Sequence, residues 1–143
     1  MKILALEFSS QQRSAAVVEA GKVLGEARED AGGHTHAFAL IERALAAAQL
    51  EREQIECVAI GLGPGSYMGI RIAIAIAQGW QLARGVKTAG FSSAQACSTA
   101  FPEARTIGLF AEKEALFVTA DKLEPIYERP TSFVKAPPPR SII

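Results

Sequence analysis

Cysteine, histidine and net charge are scarce in this chain of 143 residues, and each scarcity removes a class of function. Two cysteines, Cys57 and Cys97, each set among apolar or small residues, make no disulfide framework and read as reduced core thiols. The two histidines, His34 and His36, invite a metal site with Glu42, but an i, i+2 pair at a helix start does not put both rings on one face. Capping or surface histidines are the simpler reading. Lys plus Arg number 15 and so do Asp plus Glu, so there is no global basic field to drive nonspecific nucleic-acid binding. Any RNA role must be local or indirect. Long apolar runs are missing too. Ile72 to Ala83 is nearly uncharged but contains Gln78, Gly79 and Gln81 and is too short to span a bilayer, and the opening MKILALEF lacks the apolar core and cleavage site of a signal peptide. The expectation is a cytoplasmic protein with no membrane segment. At 49% hydrophobic the chain can build one domain with a real core, and has room for a small second unit but not for two ordinary domains.

What the chain does have is glycine in one place. Gly61-Leu62-Gly63-Pro64-Gly65-Ser66-Tyr67-Met68-Gly69-Ile70-Arg71 stops the largely apolar run Ile55 to Ile60 and precedes a long helix-forming run through Arg84. That is a strand, a glycine-rich turn and a helix. Ahead of it, Ile3 to Phe8, Ser14 to Ala20 and Lys22 to Glu29 read as a three-stranded meander with the third, most polar strand at the edge, turning at Glu19 to Lys22. Thr35 is the expected N-cap of a helix from His36 to Leu50, in which Phe38, Ile41, Leu45 and Ala48 make an apolar stripe, Leu40, Ala44 and Ala47 lie beside it, and Glu42 and Arg43 mark the wet side. Ile55 to Ile60 is expected to be buried on both faces. Val86 to Phe91 is a fifth strand, and Ser92 or Ser93 caps a small-residue helix to Ala100, ended by Phe101-Pro102.

The helix after the glycine turn has no polar face over its first three turns, because Ile70, Ile72, Ala73, Ile74, Ala75, Ile76 and Ala77 surround the axis with only Arg71 interrupting. One side can lie on a sheet. The opposite side is left as an apolar patch that the first helix, a partner chain, or both must cover. Trp80 is a candidate anchor there. From Arg105 the chain reads as a restart of the meander, with strands at Thr106 to Ala111, Ala115 to Ala120 and Pro125 to Glu128. Residues 1–102 thus form a first lobe, 103–135 a partial second lobe of strands, and 136–143 a Pro-rich tail.

The glycine turn fails as a dinucleotide fingerprint, since Met68 or Ser66 stands where the third glycine is needed, and no Gly-Lys-Ser/Thr follows to make a phosphate loop. Two readings stay open: an anion site at the helix N-terminus, or a tight connection that lets two backbones touch. Ser9, Ser10 and Ser66 are hydroxyls with no histidine or carboxylate placed beside them by the sequence, so no nucleophile is supported. Glu7, at a strand end, can hold a magnesium or orient a water, or act as an ordinary turn carboxylate.

Gly63-Pro64-Gly65-Ser66-Tyr67-Met68-Gly69-Ile70-Arg71-Ile72 resembles the Gly-Pro-Gly-Ser-Phe-Thr-Gly-Ile/Leu-Arg-Ile signature of the TsaB (YeaZ) family, a subunit of the machinery that makes threonylcarbamoyladenosine (t6A) in tRNA. The resemblance extends over about the first hundred residues, through ILALEFSS, His34 before the first helix, and Phe91-Ser92-Ser93. It implies an α/β fold, a lobe of the actin-like ATPase (sugar kinase and Hsp70) superfamily with a mixed five-stranded sheet, followed here by an incomplete second lobe. It also implies a noncatalytic subunit that pairs with the catalytic paralogue TsaD through first-lobe helices, recruits the ATPase TsaE, homodimerises when alone, meets tRNA only indirectly and needs no cofactor of its own, ATP and magnesium entering only through a partner. The sequence departs from the family pattern in three ways: Glu7-Phe8 replaces Asp-Thr, Tyr67-Met68 replaces Phe-Thr, and the chain is shorter than the family's usual form. The expected partner interface is Phe38, Ile41, Leu45, Ile70, Ile74, Ala77 and Trp80, beside the signature turn residues Gly63, Pro64, Gly65, Ser66, Gly69 and Arg71. A rival reading is a small Mg-ATP-dependent transferase or ATPase that uses the Gly61 to Arg71 turn and Glu7. Another is a shortened homodimerising paralogue outside the tRNA pathway. Older family names suggest a protease, but no residues here form a proteolytic site.

Overall fold

Five short apolar runs pair into one mixed sheet. The computed structural model describes residues 1–30, 36–93 and 103–126. Its strands are β1 (Ile3–Glu7), β2 (Gln12–Glu19), β3 (Lys22–Asp30), β4 (Cys57–Gly61) and β5 (Lys87–Phe91), in the spatial order β3-β2-β1-β4-β5. The meander is antiparallel, with β1 pairing Leu4 to Val17 and β2 pairing Ala15 to Ala27, whereas β1, β4 and β5 run parallel. Ala20 and Gly21, both at positive φ, make the two-residue turn from β2 to β3. The most polar strand is at an edge, as its composition predicts.

Period-two alternation feeds two cores. Leu4, Leu6, Val17, Val58 and Ile60 face one side with helices α1 (Ala37–Ala48) and α2 (Tyr67–Arg84), while Ile3, Ala5, Val18, Cys57, Ala59 and Ala89 face the other side. Central strands covered on both faces are apolar along nearly their whole length, and β1 and β4 are buried at every position, Glu7 at the end of β1 included. Helix α1 lies over β2 and β3, and α2 lies over β4 and β1. Gly25 in β3 permits the close approach of α1, since a Cβ there would sit 2.4 Å from the Ala48 nitrogen. Helix α1 begins after His36, which makes no side-chain cap; the predicted cap Thr35 lies outside the described residues.

The expected second lobe is corrected. Residues Ala104–Glu114 form a helix, α3, not a strand, and it covers the second face of the same sheet. Its buried positions Ala104, Ile107, Gly108 and Ala111 recur at helical spacing, and Gly108 rests against Val18 and Ala5 of the sheet. Ser14, buried on β2, accepts a hydrogen bond from the Ala104 nitrogen at 2.8 Å, satisfying one of the free N–H groups of the first turn of α3. After α3 the chain makes a single antiparallel bridge, Val118 to Thr88, and a 3-10 turn at Ala120–Lys122 in place of the strand expected over Ala115 to Ala120, while the strand expected over Pro125 to Glu128 lies partly outside the described residues. The helix expected to Ala100, Cys97 and the tail from 136 lie outside the described residues.

Ile107 is wholly buried and Leu116 is largely exposed. Ile107→Ala is expected to cost about 2–5 kcal/mol in urea unfolding, and Leu116→Ala to stay within about 0.5 kcal/mol. A small effect at Ile107 would mean that α3 does not belong to the core.

Candidate functional site

At the carboxyl ends of β1 and β4, two stretches of backbone are pressed together. A Cβ on Gly65 would stand 2.1 Å from the Ser9 carbonyl oxygen, and one on Gly69 2.0 Å from that of Phe8. The Ser66 nitrogen donates to the Ser9 carbonyl at 2.7 Å. Gly63, at φ +90°, has Ile70 beneath it, and the Gly63-Pro64 peptide is cis. Ser66 is the N-cap of α2, its hydroxyl accepting from the Gly69 nitrogen at 3.2 Å. Arg71 stacks over Tyr67, donating to its hydroxyl at 2.9 Å. Of the two readings left open, the geometry is that of touching backbones, since the chain's own carbonyl oxygens fill the approach that the glycines make available.

Behind this contact lies a carboxylate sealed from solvent. Glu7 has no exposed surface; its oxygens accept from the Ser9 hydroxyl at 2.8 Å and the Ser93 hydroxyl at 3.3 Å, and Gly61 leaves no room for a side chain beside them. Ser93 also accepts from the Gly63 nitrogen at 3.0 Å, and its own nitrogen donates to the Gly63 carbonyl at 2.8 Å. Glu7 thus ties the glycine turn, the β1–β2 connection and the end of β5 into one network. Burial is the dominant influence and pushes its carboxyl above the ordinary value; the Ser93 and Ser9 hydroxyls pull it back less strongly. Phe8 beside it is also fully buried. These residues do not fit the magnesium and phosphate of a nucleotide, because neither carboxylate oxygen is free to leave its serine and reach an exposed ligand.

The other feature is a groove of about 540 Å³ between the two helices on the same face of the sheet. Phe38 and Ile41 of α1 form one wall, and Ile72, Ala75, Ile76, Gly79, Trp80 and Ala83 of α2 the other; Arg52, Glu53 and Arg84 are also on its lining. The α2 positions step by 3, 1, 3, 1 and 3 residues, which is one continuous helical face. Gly69, Ile70, Ala73, Ile74 and Ala77 form the face turned to the sheet. Helix α2 is therefore apolar on two faces, and one of them remains open.

This geometry corrects the expected interface. Leu45, Ile70, Ile74 and Ala77 are core residues, buried beneath the helices, whereas Ile41, buried as well, still borders the groove. Phe38, 60% exposed, and half-buried Trp80 do line the groove. An all-round apolar helix carries no phase information, so the sequence pattern could not say which stripe meets the sheet; its alanines and Gly79 read as permitting close approach of another helix, but Ala75, Gly79 and Ala83 could not be assigned to the open face. His36 and Glu42 are both exposed, His34 lies outside the described residues, and no group of three or more metal-ligating side chains occurs among the described residues. Burial pushes the Cys57 thiol up to about 12, so it is an inert core group.

Two variants test the sealed end. Because folded Glu7 holds its proton more tightly than the unfolded chain does, its contribution to stability falls as pH rises from the ordinary carboxylate value of 4.5 through the raised one. Glu7→Gln is expected to flatten that fall, so that the variant gains on the parent in thermal melts as pH rises above the ordinary carboxylate value; a parent that gains on the variant as pH rises would contradict the assignment. Gly69→Ala is expected to cost about 1–3 kcal/mol or more by forcing the two backbones apart, whereas Gly79→Ala, with nothing within 4 Å of its Cβ, is expected to stabilise by about 0.5–1 kcal/mol.

The family model for TsaD, tRNA N6-adenosine threonylcarbamoyltransferase, matches residues 28–109, more than half of the chain. Among solved structures, YeaZ from Pseudomonas aeruginosa superposes with a TM-score of 0.74 at 16% identity, covering 88% of this chain and 100% of that one. A protein described as uncharacterized with similarity to peptidase YeaZ from Pseudomonas aeruginosa gives 0.72 at 17% identity, covering 88% and 98%. These likenesses show the fold, an α/β lobe with one mixed sheet like that of YeaZ, and the first solved chain is matched from end to end. No curated protein matches the sequence. Sheet order, glycine turn and family model converge, and the chain belongs to the TsaD family, with the fold of YeaZ.

Proposed function

We propose that this protein is a TsaB-like, noncatalytic subunit of tRNA threonylcarbamoyladenosine modification that docks on a TsaD-like catalytic protein through the groove between α1 and α2. Family membership supports the link to t6A chemistry. The observation that carries the docking role is the second apolar face of α2, where Ile72, Ala75, Ile76, Gly79, Trp80 and Ala83 lie along an open groove with Phe38 at its other wall. Small residues at 75, 79 and 83 let a partner helix approach closely, and Trp80 and Phe38 are aromatics of the kind that carry interface energy. The noncatalytic reading draws support from Glu7, whose carboxylate is committed to Ser9 and Ser93. A TsaE-like ATPase is the proposed further partner, with ATP and magnesium supplied by the partners. Contact with tRNA is indirect, in keeping with the balance of charge. Among the described residues no helix is long and apolar enough to cross a membrane.

Light-scattering mass measurement of the chain with and without a TsaD-like protein tests the docking role. A heterodimer is expected, together with restored modification when TsaE is supplied. Ala75→Glu, which places a charge on the exposed side of α2, is expected to weaken association about a hundredfold or more while leaving the melting temperature nearly unchanged. A chain whose mass is unaffected by the TsaD-like protein would overturn the reading; a chain that forms only a self-dimer through the same face would favour the homodimerising alternative. Calorimetric titration with Mg-ATP is expected to give no binding to the isolated chain, and tight binding with turnover would favour the enzyme reading.

A further inference from the structure

The two ends of α2 are held by different forces. Its buried residues run from Gly69 to Ala77, and none lies beyond. Gly79, Trp80, Ala83 and Arg84, which form part of the groove, therefore stand on a half-helix with no buried residue, where half-buried Trp80 supplies the packing against the core. Polar ties add to that hold. On one flank Arg84 donates to the Glu53 carbonyl at 3.0 Å. On the other, two glutamines three residues apart grip the backbone of one residue: the Ala120 nitrogen donates to Gln81 Oε1 at 2.8 Å, and Gln78 Nε2 donates to the Ala120 carbonyl at 3.4 Å. Positions i and i+3 share a helix face, so the pair acts as one device. Gln81 Nε2 also reaches the Val86 carbonyl at 3.3 Å and the Thr88 hydroxyl at 3.4 Å, extending the tie to β5.

Ala120 belongs to the segment 115–126, which crosses the outer edge of β5 from the face of α3 to that of α2. The Val118 nitrogen donates to the Thr88 carbonyl at 2.8 Å, the Thr88 hydroxyl donates to the Val118 carbonyl, and the Ile126 nitrogen donates to the Leu62 carbonyl at 2.8 Å. Ala120 and Leu123 are buried, Leu123 lying against Gly90, while Leu116, Val118 and Ile126 are exposed. One β-bridge, the Ile126–Leu62 hydrogen bond, two buried side chains, partly buried Phe117 and the glutamine pair are a thin attachment for twelve residues, of the kind that opens before the rest of a fold.

We propose that Gln78 and Gln81 form a clamp that fastens the strap 115–126 to α2, and that the strap thereby positions the C-terminal half of the groove wall. The strap becomes the element through which docking at the groove is adjusted; that last step rests on the docking role proposed above, and the clamp itself does not. Gln78 and Gln81 are positioning residues in this account.

Trp80, the one tryptophan of the chain, lies on the groove side between the two glutamines and reports on the same half-helix. The test is the double variant Gln78→Ala/Gln81→Ala in the full chain, read by amide exchange of residues 118–123, Trp80 fluorescence and affinity for a TsaD-like protein. Exchange at Ala120 is expected to rise about tenfold or more, Trp80 emission to shift, and affinity to fall about tenfold although no groove residue has changed. Unaltered exchange would remove the clamp. Faster exchange with unchanged Trp80 emission would show that the strap does not position the groove wall. If the parent chain fails to bind the TsaD-like protein, the docking role falls, while exchange and fluorescence still decide the clamp. Should the double variant not fold, Gln81→Glu, which keeps an acceptor for the Ala120 nitrogen but loses the donors to Val86 and Thr88, is expected to retain more protection at Ala120 than Gln81→Ala. Equal protection in the two single variants would overturn the assignment.

Discussion

The structure depends on the contact between the backbone of Phe8–Ser9 and the backbone of Gly65–Gly69. No residue with a Cβ fits at Gly65 or Gly69 without displacing a carbonyl oxygen. From that contact follow the direction in which α2 leaves the sheet, the placing of Ser66 as its cap, and the insertion of Ile70 beneath Gly63. A shift of an ångström here would carry the whole helix with it, because the first turn of α2 and the end of β1 are fastened to each other rather than to solvent. The glycines are thus explained by distance of approach more than by unusual φ, which among the described turn residues is required chiefly at Gly63.

A buried carboxylate behind such a contact is an expensive choice, since desolvation of a charge outweighs two neutral hydroxyl bonds unless the group holds its proton. The raised pKa of Glu7 expresses that balance. Its carboxyl accepts from the Ser9 and Ser93 hydroxyls, and Ser93 accepts in turn from the Gly63 nitrogen, linking three segments that are distant in sequence. The same commitment removes Glu7 from the chemistry that a strand-end carboxylate would otherwise offer. Rigidity of the turn and absence of a free ligand atom have one cause.

The sheet was legible because alternation and continuous apolar runs are direct consequences of one-sided and two-sided burial; β1 to β5 fall where these patterns place them, within one or two residues. Helix α3 was not. Thr106, Ile107, Gly108 and Phe110 are poor helix formers, and the apolar run Thr106 to Ala111 fits a strand locally as well as it fits a helix. Burial settled the matter, since Ala104, Ile107, Gly108 and Ala111 meet a sheet face that needed covering. Tertiary context overrode local preference. The groove was half legible: composition showed that α2 had two apolar faces, but only the packing of Ile70, Ala73, Ile74 and Ala77 on the strands showed which face was left over.

That leftover face has a physical consequence of its own. In water, an exposed groove of alanine, isoleucine, glycine and tryptophan gains nothing by being open, and leucine or polar residues at 75, 79 and 83 would have closed or solubilised it. Helix α1 could have filled it by lying closer to α2. It is drawn instead toward β3, where Gly25 admits Ala44, Ala47 and Ala48 to near contact. The glycine that seats α1 over the outer strands and the glycines that seat α2 over β1 and β4 together hold the two helices apart. The groove is the space between two independently seated helices, its C-terminal wall held further by the polar ties of α2, so that a groove is already present before anything occupies it. A preformed apolar site of this sort asks little ordering from a partner, which is what favours association through limited contact area.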